Sequence, residues 1–572
     1  MKLLFKQYLA SLRERGELDA VLPDLLSELG YTIISKPSIG TRQYGVDVAA
    51  VGAEEDGARR VFLFSVKAGD LTRTEWNVGT QALRPSLDEI RDYYIPNRIP
   101  KRYRSLPIAI CLCFGGDMDE TVSGLVESYM TQNTTASTEY RIWNGDRLAE
   151  LLLTGILREN AFPKDARSML RKAVAMVDEP DVATRHFRAF INKACERPSK
   201  PKDRLTATRQ ITLALWTLFV WARDSDNLEA PYRASELALL RAWGLISPVL
   251  EGKSAVAKAC REAIDKLIAL HRTIASYYVT GRILPNASVV HGLTSAVPSQ
   301  SAVDKNLRLF DILGRLSVHG LWLHHARLLE QSRTGQVSAA TNEAISITVT
   351  ALIDMINNNP ILHSPLKDEH AIDINLACLF LLACGHSDMI RRWIAQIAGS
   401  TCFTFRTHGS YPCTHRDYRD LVGHPTPTDE YRKDCTAASI LIPILATWLS
   451  LTRDSETLGY LSQFCADDFA HSTLQLWFPG KDTEERLFAG EKPHGLAVAS
   501  IRIDADGGKL LELLRKECAA TDHFKDLSPL RWSLWPILMV ASRCHRIPTP
   551  PQFWPLGTAE EVSSPSPDSA SA

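Results

Sequence analysis

The sequence predicts an α/β domain at its N-terminal end followed by a large all-α domain. Three observations carry this. Strand-like and helix-like stretches alternate as far as about residue 160, the pattern of a sheet with helices on its faces. Beyond about residue 165 strand signals become scarce, and long stretches repeat their apolar residues at intervals of three and four, the helical period. Between these regions lie ENAFPKDARS and ERPSKPKDR, whose Pro and charge suit linkers and helix ends. The expected organisation is therefore an α/β domain over 1–160, a helical domain over 165–550 and a disordered tail over 555–572. The tail ends VSSPSPDSASA, too small and polar to bury a core.

The elements follow in order. Leu18, Val21, Leu22, Leu25, Leu26 and Leu29 mark one face of a helix, and Gly30 stops it. Three strands are expected next: Tyr31–Ser35, Tyr44–Val51 with Asp47 inside it, and Arg60–Lys67. Each is rich in β-branched and aromatic residues and bounded by Gly, Pro or charge. A helix over 80–94, the buried strand LPIAICLCF, a helix over 120–131, the strand TEYRIW and the helix GDRLAELLLTGIL complete the alternation. Cys111 and Cys113 lie in the LPIAICLCF strand with no second Cys/His pair nearby and read as core. Later helices are expected at 207–223, 233–246, 252–279, 303–332, 336–357, 370–397, 436–452, 455–471, 508–519 and 528–543. No fixed period links them, so the expected form is an irregular helical domain with helix pairs in an array.

Composition bounds the function. The chain has 572 residues, 45% hydrophobic and 23% charged, as ordinary globular proteins have. The net charge of −1 gives no global positive field, so any nucleic-acid contact must come from a local basic patch. Twelve scattered cysteines form no disulfide framework and suit a reducing, cytoplasmic setting. The start, MKLLFKQYLASLRERGELD, is interrupted by Lys6, Arg13, Glu14 and Arg15 and reads as an amphipathic helix, not a signal peptide. The apolar runs from Ile211 and from Ile440 are each about half a membrane span, so buried helices and no membrane partner are expected.

Chemistry is expected where charge interrupts apolar strands. Asp47 sits in YGVDVAAV, where an unpaired carboxylate is costly unless it meets a cation or a metal. Lys67 ends the apolar run VFLFSV, and alternation puts Ser65 on the same face. Pairing the second and third strands would bring Asp47 near Lys67. A carboxylate beside a lysine can hold a divalent metal and a cation at one phosphate. The ordinary alternatives are a snorkelling lysine and, for Asp19 near the start of the first helix, an acid that complements the helix dipole. Arg42 and Gln43 in the loop KPSIGTRQYG could touch a phosphate. So could Arg98, Lys101, Arg102 and Arg104, with Tyr103 interleaved.

Gly45-Val46-Asp47, then about twenty residues, then Ser65-Val66-Lys67, resembles the core of the PD-(D/E)xK nucleases, and most nearly the Mrr-like restriction endonucleases. The helix LDAVLPDLLSELGY, in which Asp19 occupies the place of an acidic residue, resembles that family's opening helix. IWNGDRLAELL is similar to its closing strand–helix pair. The resemblance covers roughly the first 160 residues. It implies a restriction-endonuclease-like mixed sheet flanked by helices, with Asp47, Lys67, Asp19 and Ser65 as catalytic residues. Magnesium, or manganese in its place, would be held by Asp47, Asp19 and the backbone carbonyl of Val66. One position departs: the family usually has Glu, Asp or Gln where this chain has Ser65, and a hydroxyl is a weaker ligand for a hard cation.

In the helical part, residues 402–435 form a stretch too long for an ordinary connection. It contains Cys402, His408, Cys413, His415, His424 and Cys435, but no CxxC and no histidine pair at helical spacing, which argues against zinc. A loop contacting a partner or ligand through Arg406, His408, Tyr411, Arg416 and Tyr418 is a better reading than zinc, and a structured insertion with no chemistry is the alternative. His319, His324 and His325, in an apolar helix, read as packing.

Two functions are compatible with these features. One is a magnesium-dependent DNA endonuclease of a bacterial defence or restriction system. Its helical domain would gate it through a protein partner or phage trigger, and the chain could pair with its own copies. The other is a catalytically weakened nuclease-fold module that binds DNA or assembles partners, a reading favoured by Ser65 and the near-zero charge.

Overall fold

The structure, a computed structural model, describes residues 6, 9, 10, 12, 14, 18–35, 43–53, 57–78, 82–154, 164–196, 198–225, 227–489, 496–498 and 501–556. Arg42 and the expected tail beyond residue 556 lie outside them, as does most of the first seventeen residues. The chain divides into two compact units. One comprises Met1–Ala238 and Leu245–Leu270, the other Leu239–Gly244 and His271–Ala572.

The first unit is built on a five-stranded mixed sheet, β1 (Thr32–Ser35), β2 (Val48–Ala53), β3 (Arg59–Lys67), β4 (Ile108–Phe114) and β5 (Thr138–Trp143), paired in sequence order. β1, β2 and β3 form an antiparallel meander, and β3, β4 and β5 run parallel. The parallel connections need helical crossovers, supplied by Leu83–Glu89 with the turns after it and by Glu120–Asn133. Alternation sorts the side chains. Val61 and Leu63 of β3 join Ile108, Ile110 and Leu112 of β4 in one apolar core. Phe62 and Phe64 point the other way, edge-on to Tyr31 and Trp143. With β3 and β4 in the middle of the sheet, both of their faces are covered, so residues 61–67 and 108–114 are all buried.

The helix Asp19–Glu28 packs on β1 and β2 through Leu22, Leu25 and Leu26. Its Asp24 is tied by Lys266, at 2.7 Å, to the helix Ala255–Tyr278. Helices well beyond residue 160 therefore belong to the same compact unit as the sheet.

Two sequence expectations for this unit are corrected. The second strand begins at Val48, so Asp47 lies just before it and not within. Tyr44 and Gly45 both have positive φ, 52° and 78°, a conformation that cannot continue a strand. Among the described residues, the helix expected over 80–94 is α-helical over Leu83–Glu89. It passes into a π-helical turn, Ile90–Tyr94, and a last α-turn, Ile95–Arg98.

The second unit is mostly helical. Its longest helix, Ala302–Thr334, packs on Ala339–Asn358, Ala371–Ala383 and Pro536–His545. The single helix expected over 370–397 is two, Ala371–Ala383 and Ser387–Arg406, because Gly385 turns left-handed between them at φ 82°. The one expected over 528–543 is likewise broken, into Ser528–Arg531 and Pro536–His545, with Ser533 at φ 55°. His324 and His325 stand close to Trp535, and burial lowers the pKa of both, which makes them packing residues. All twelve cysteines are free thiols. Among the described residues one helix, Ala339–Asn358, is long and apolar enough to cross a membrane.

Candidate active site

The carboxylate of Asp47 is placed by the ladder between β2 and β3. Its backbone N–H donates to the carbonyl of Phe64 at 2.8 Å. Its side chain then turns along the strand, and Oδ2 accepts the N–H of Val66 at 2.7 Å. A side chain thus satisfies a strand-end donor that a backbone carbonyl would otherwise take. The approach to this position is held by Gly45, where a Cβ would come within 2.1 Å of the Ser86 carbonyl oxygen. That close contact locks the turn before Asp47 against the helix Leu83–Glu89.

Lys67, the last residue of β3, is 4% exposed. Its Nζ donates to both oxygens of Glu14, at 3.1 and 3.3 Å. The lysine therefore does not snorkel into solvent. The carboxylate of Glu14 fixes it at the C-terminal end of β3.

These groups share one electrostatic neighbourhood. Burial raises the pKa of Asp47 to about 6, the largest influence on it. The Val66 N–H and the charge of Lys67 oppose that rise, while the negative charges of Glu14 and Asp19 add to it. Asp47 thus feels the charges of Glu14, Lys67 and Asp19, and Lys67 is paired directly with Glu14. Asp19 is half-buried at the start of the helix Asp19–Glu28.

The donors are all oxygen and partly desolvated, the chemistry a hard divalent ion takes, but among the described residues these carboxylates do not converge at metal-ligating spacing. Asp47 spends one oxygen on Val66 and keeps the other available. Ser65 is 1% exposed and, by alternation, continues the row of Val61, Leu63 and Lys67.

The remaining expected contacts divide. Gln43 and Tyr44 lead into the Asp47 turn, and the Arg98 guanidinium lies 5.3 Å from the Tyr44 ring centre. Tyr44 in turn stacks on Tyr93 at 4.0 Å. Arg102 sits over Tyr103 at 4.6 Å, with Arg59 over the same ring at 6.0 Å. Arg59 opens β3, and eight strand steps put it roughly 26 Å from Lys67. The basic run is therefore not one patch: Arg98 is on the Asp47 side, and Arg102 is at the far end of the sheet. Lys101, Arg102 and Arg104 are exposed, and Arg104 donates to the Ile99 carbonyl at 3.1 Å. Trp76 is core, edge-on to Tyr129, and Asp70 accepts the N–H of Asp117 in a turn.

Glu14 was not singled out from the sequence. It lies in RERGEL, where several acids and bases alternate and nothing marks the one that turns inward.

In the second unit, the stretch 402–435 is more ordered than a loop. The helix Ser387–Arg406 runs into it, and Tyr418–Val422 and Asp429–Cys435 are helical. Tyr411, expected on a contact surface, is fully buried against Phe405 and His424. Arg406 is occupied by Asp468 at 2.8 Å and the Tyr460 hydroxyl at 2.8 Å. His408, Arg416 and Tyr418 are exposed.

Compared with known proteins, the chain matches no family model, no curated protein and no solved structure.

Proposed function

We propose that the first unit is a metal-dependent endonuclease that hydrolyses phosphodiester bonds in DNA, built on a restriction-endonuclease-like sheet. The observation that carries this reading is the buried Lys67–Glu14 pair at the end of β3, with Asp47 within its electrostatic reach. Asp47, Asp19 and the carbonyl of Val66 would hold magnesium or manganese, with Glu14 close by. Such an ion, when bound, polarises a phosphate and makes a bound water more acidic. The chain's own residues do the rest. Asp47 must be ionised to serve as a ligand, and the Val66 N–H keeps its carboxylate oriented. Lys67, steadied by Glu14, offers its positive charge to the phosphate oxygens as negative charge grows on them and orients the attacking water. Arg98 beside the Tyr44 turn would hold the DNA backbone next to this strand end. In this reading the helical part of the chain receives the trigger of a defence or restriction effector, and the enzyme works in the cytoplasm.

A second reading has one observation in its favour. Ser65, buried where the resemblance calls for a carboxylate or amide, removes a ligand, as a module that binds DNA without cutting it would tolerate. Calorimetric titration of the full-length protein with magnesium separates the two. The endonuclease reading expects binding in the wild type that is lost in Asp47→Ala. Equal binding by both proteins, or none by the wild type, would overturn it.

A further inference from the structure

We propose that the second unit carries a structural zinc site formed by Cys413, His415 and His424. It is independent of the Asp47 site. One ligand atom from each of the three residues lies within 4.8 Å of the others. That is slightly wider than the spacing around a bound tetrahedral ion, whose bonds are roughly 2.0–2.3 Å, so a small inward shift of the rings closes it. Each residue is held by its own local structure. Cys413 is 1% exposed and sits in a backbone bridge, its N–H donating to the Leu366 carbonyl and its carbonyl accepting the Asp368 N–H. His424 is 7% exposed, with Nε2 2.7 Å from the Tyr411 carbonyl. A proton on Nε2 donates there, fixing the tautomer and leaving Nδ1 as a bare lone pair. This is the outer hydrogen bond that metal-binding histidines ordinarily have.

Both rings then point at one spot. Tyr431 Oη lies 3.1 Å from His424 Nδ1 and 2.9 Å from His415 Nε2. The phenol hydroxyl can donate to one ring nitrogen and accept from the other, so it bridges the two rings beside a buried thiol. An ion between the rings would take His424 Nδ1, His415 and the Cys413 thiolate, with the Tyr431 oxygen in place of a fourth ligand. On binding, the thiol gives its proton to solvent and no electrons are transferred. One sulfur and two imidazole nitrogens suit zinc, whereas magnesium and calcium take oxygen. The site would pin 413–424 to the 366–368 turn, in a stretch where the helices Tyr418–Val422 and Asp429–Cys435 are too short to stand alone. The spacing Cys-x-His followed by a distant His gives no sign of this in the sequence, because convergence depends on the docked 366–368 turn.

The test uses full-length untagged protein purified without chelator. Metal content by mass spectrometry should show one zinc per chain in the wild type. It should fall by roughly tenfold or more in Cys413→Ser and His424→Gln. Asp47→Ala should keep its zinc, which separates failure of this site from failure of the endonuclease reading. Because Cys413 and His424 are buried, those variants could misfold. His415→Gln, whose ring is half-exposed, is the control, checked for a wild-type circular dichroism spectrum. Cobalt(II) added to zinc-free protein should give visible ligand-field bands and a thiolate charge-transfer band, with the latter absent in Cys413→Ser. A wild type that retains no zinc after incubation with it, or a folded His415→Gln with undiminished zinc and an unchanged cobalt spectrum, would overturn the proposal.

Discussion

A buried acid is informative because its protonation is coupled to everything around it. Asp47 has its pKa raised to about 6, first by burial, against about 4 in an unfolded chain. A carboxyl whose folded pKa exceeds its unfolded one stabilises the fold in its neutral form. That stabilisation is complete below pH ~4 and is lost as pH rises through about 6. In metal-free protein, the stability of the wild type relative to Asp47→Asn should therefore fall as pH rises across that window. Urea denaturation at a series of pH values measures it. Added magnesium should reverse the trend above pH 6, because the ion binds only the ionised form. Lys67 and Asp47 stood out in the sequence as charges beside apolar runs, where charge is costly, although Asp47 proves to lie just before its strand and not in it. Glu14 did not. Its contact with Lys67 joins residues 53 apart in the chain, and no spacing encodes that.

At the level of elements, the turn into β2 decides where Asp47 points. The sequence suggested a strand running from Tyr44, because Tyr and Val favour strands. The positive φ of Tyr44 and Gly45 ends that strand early. Gly45→Ala would add a Cβ about where the Ser86 carbonyl sits, in a backbone conformation that side chains disfavour. It should cost about 1–3 kcal/mol in stability and displace Asp47, weakening magnesium binding with it. Thermal unfolding and calorimetry on the same sample would check both. The second unit holds a comparable dependence on a buried pair. Asp373, 1% exposed, receives two hydrogen bonds from Arg546, at 2.7 and 3.1 Å. Asp373→Ala should lower stability by about 3 kcal/mol, since it leaves the arginine without its main counter-charge. Denaturant titration followed by circular dichroism measures this loss. The helices of this unit were largely legible from their apolar period. Their breaks at Gly385 and Ser533 were not, because helical periodicity continues across a residue that turns left-handed.

Across the whole molecule, the alternation of strands and helices announced the mixed sheet, and the change of pattern announced the helical remainder. Contacts between distant segments stayed hidden. The Lys266–Asp24 ion pair joins a late helix to the first, and the Lys367–Cys413 bridge sets up the cysteine–histidine cluster. Neither is marked by any local motif. With a net charge of −1 there is no global field, so the proposed DNA contact would have to come from local groups such as Arg98. The most direct test of the account is incubation of the full-length protein with supercoiled plasmid and magnesium or manganese. The account predicts nicked or linear product with the wild type and at least a hundredfold less, on the order of 3 kcal/mol of lost transition-state stabilisation, with folded Asp47→Ala or Lys67→Ala. Undiminished cutting by both variants, or no cutting by the wild type with either metal, would contradict it.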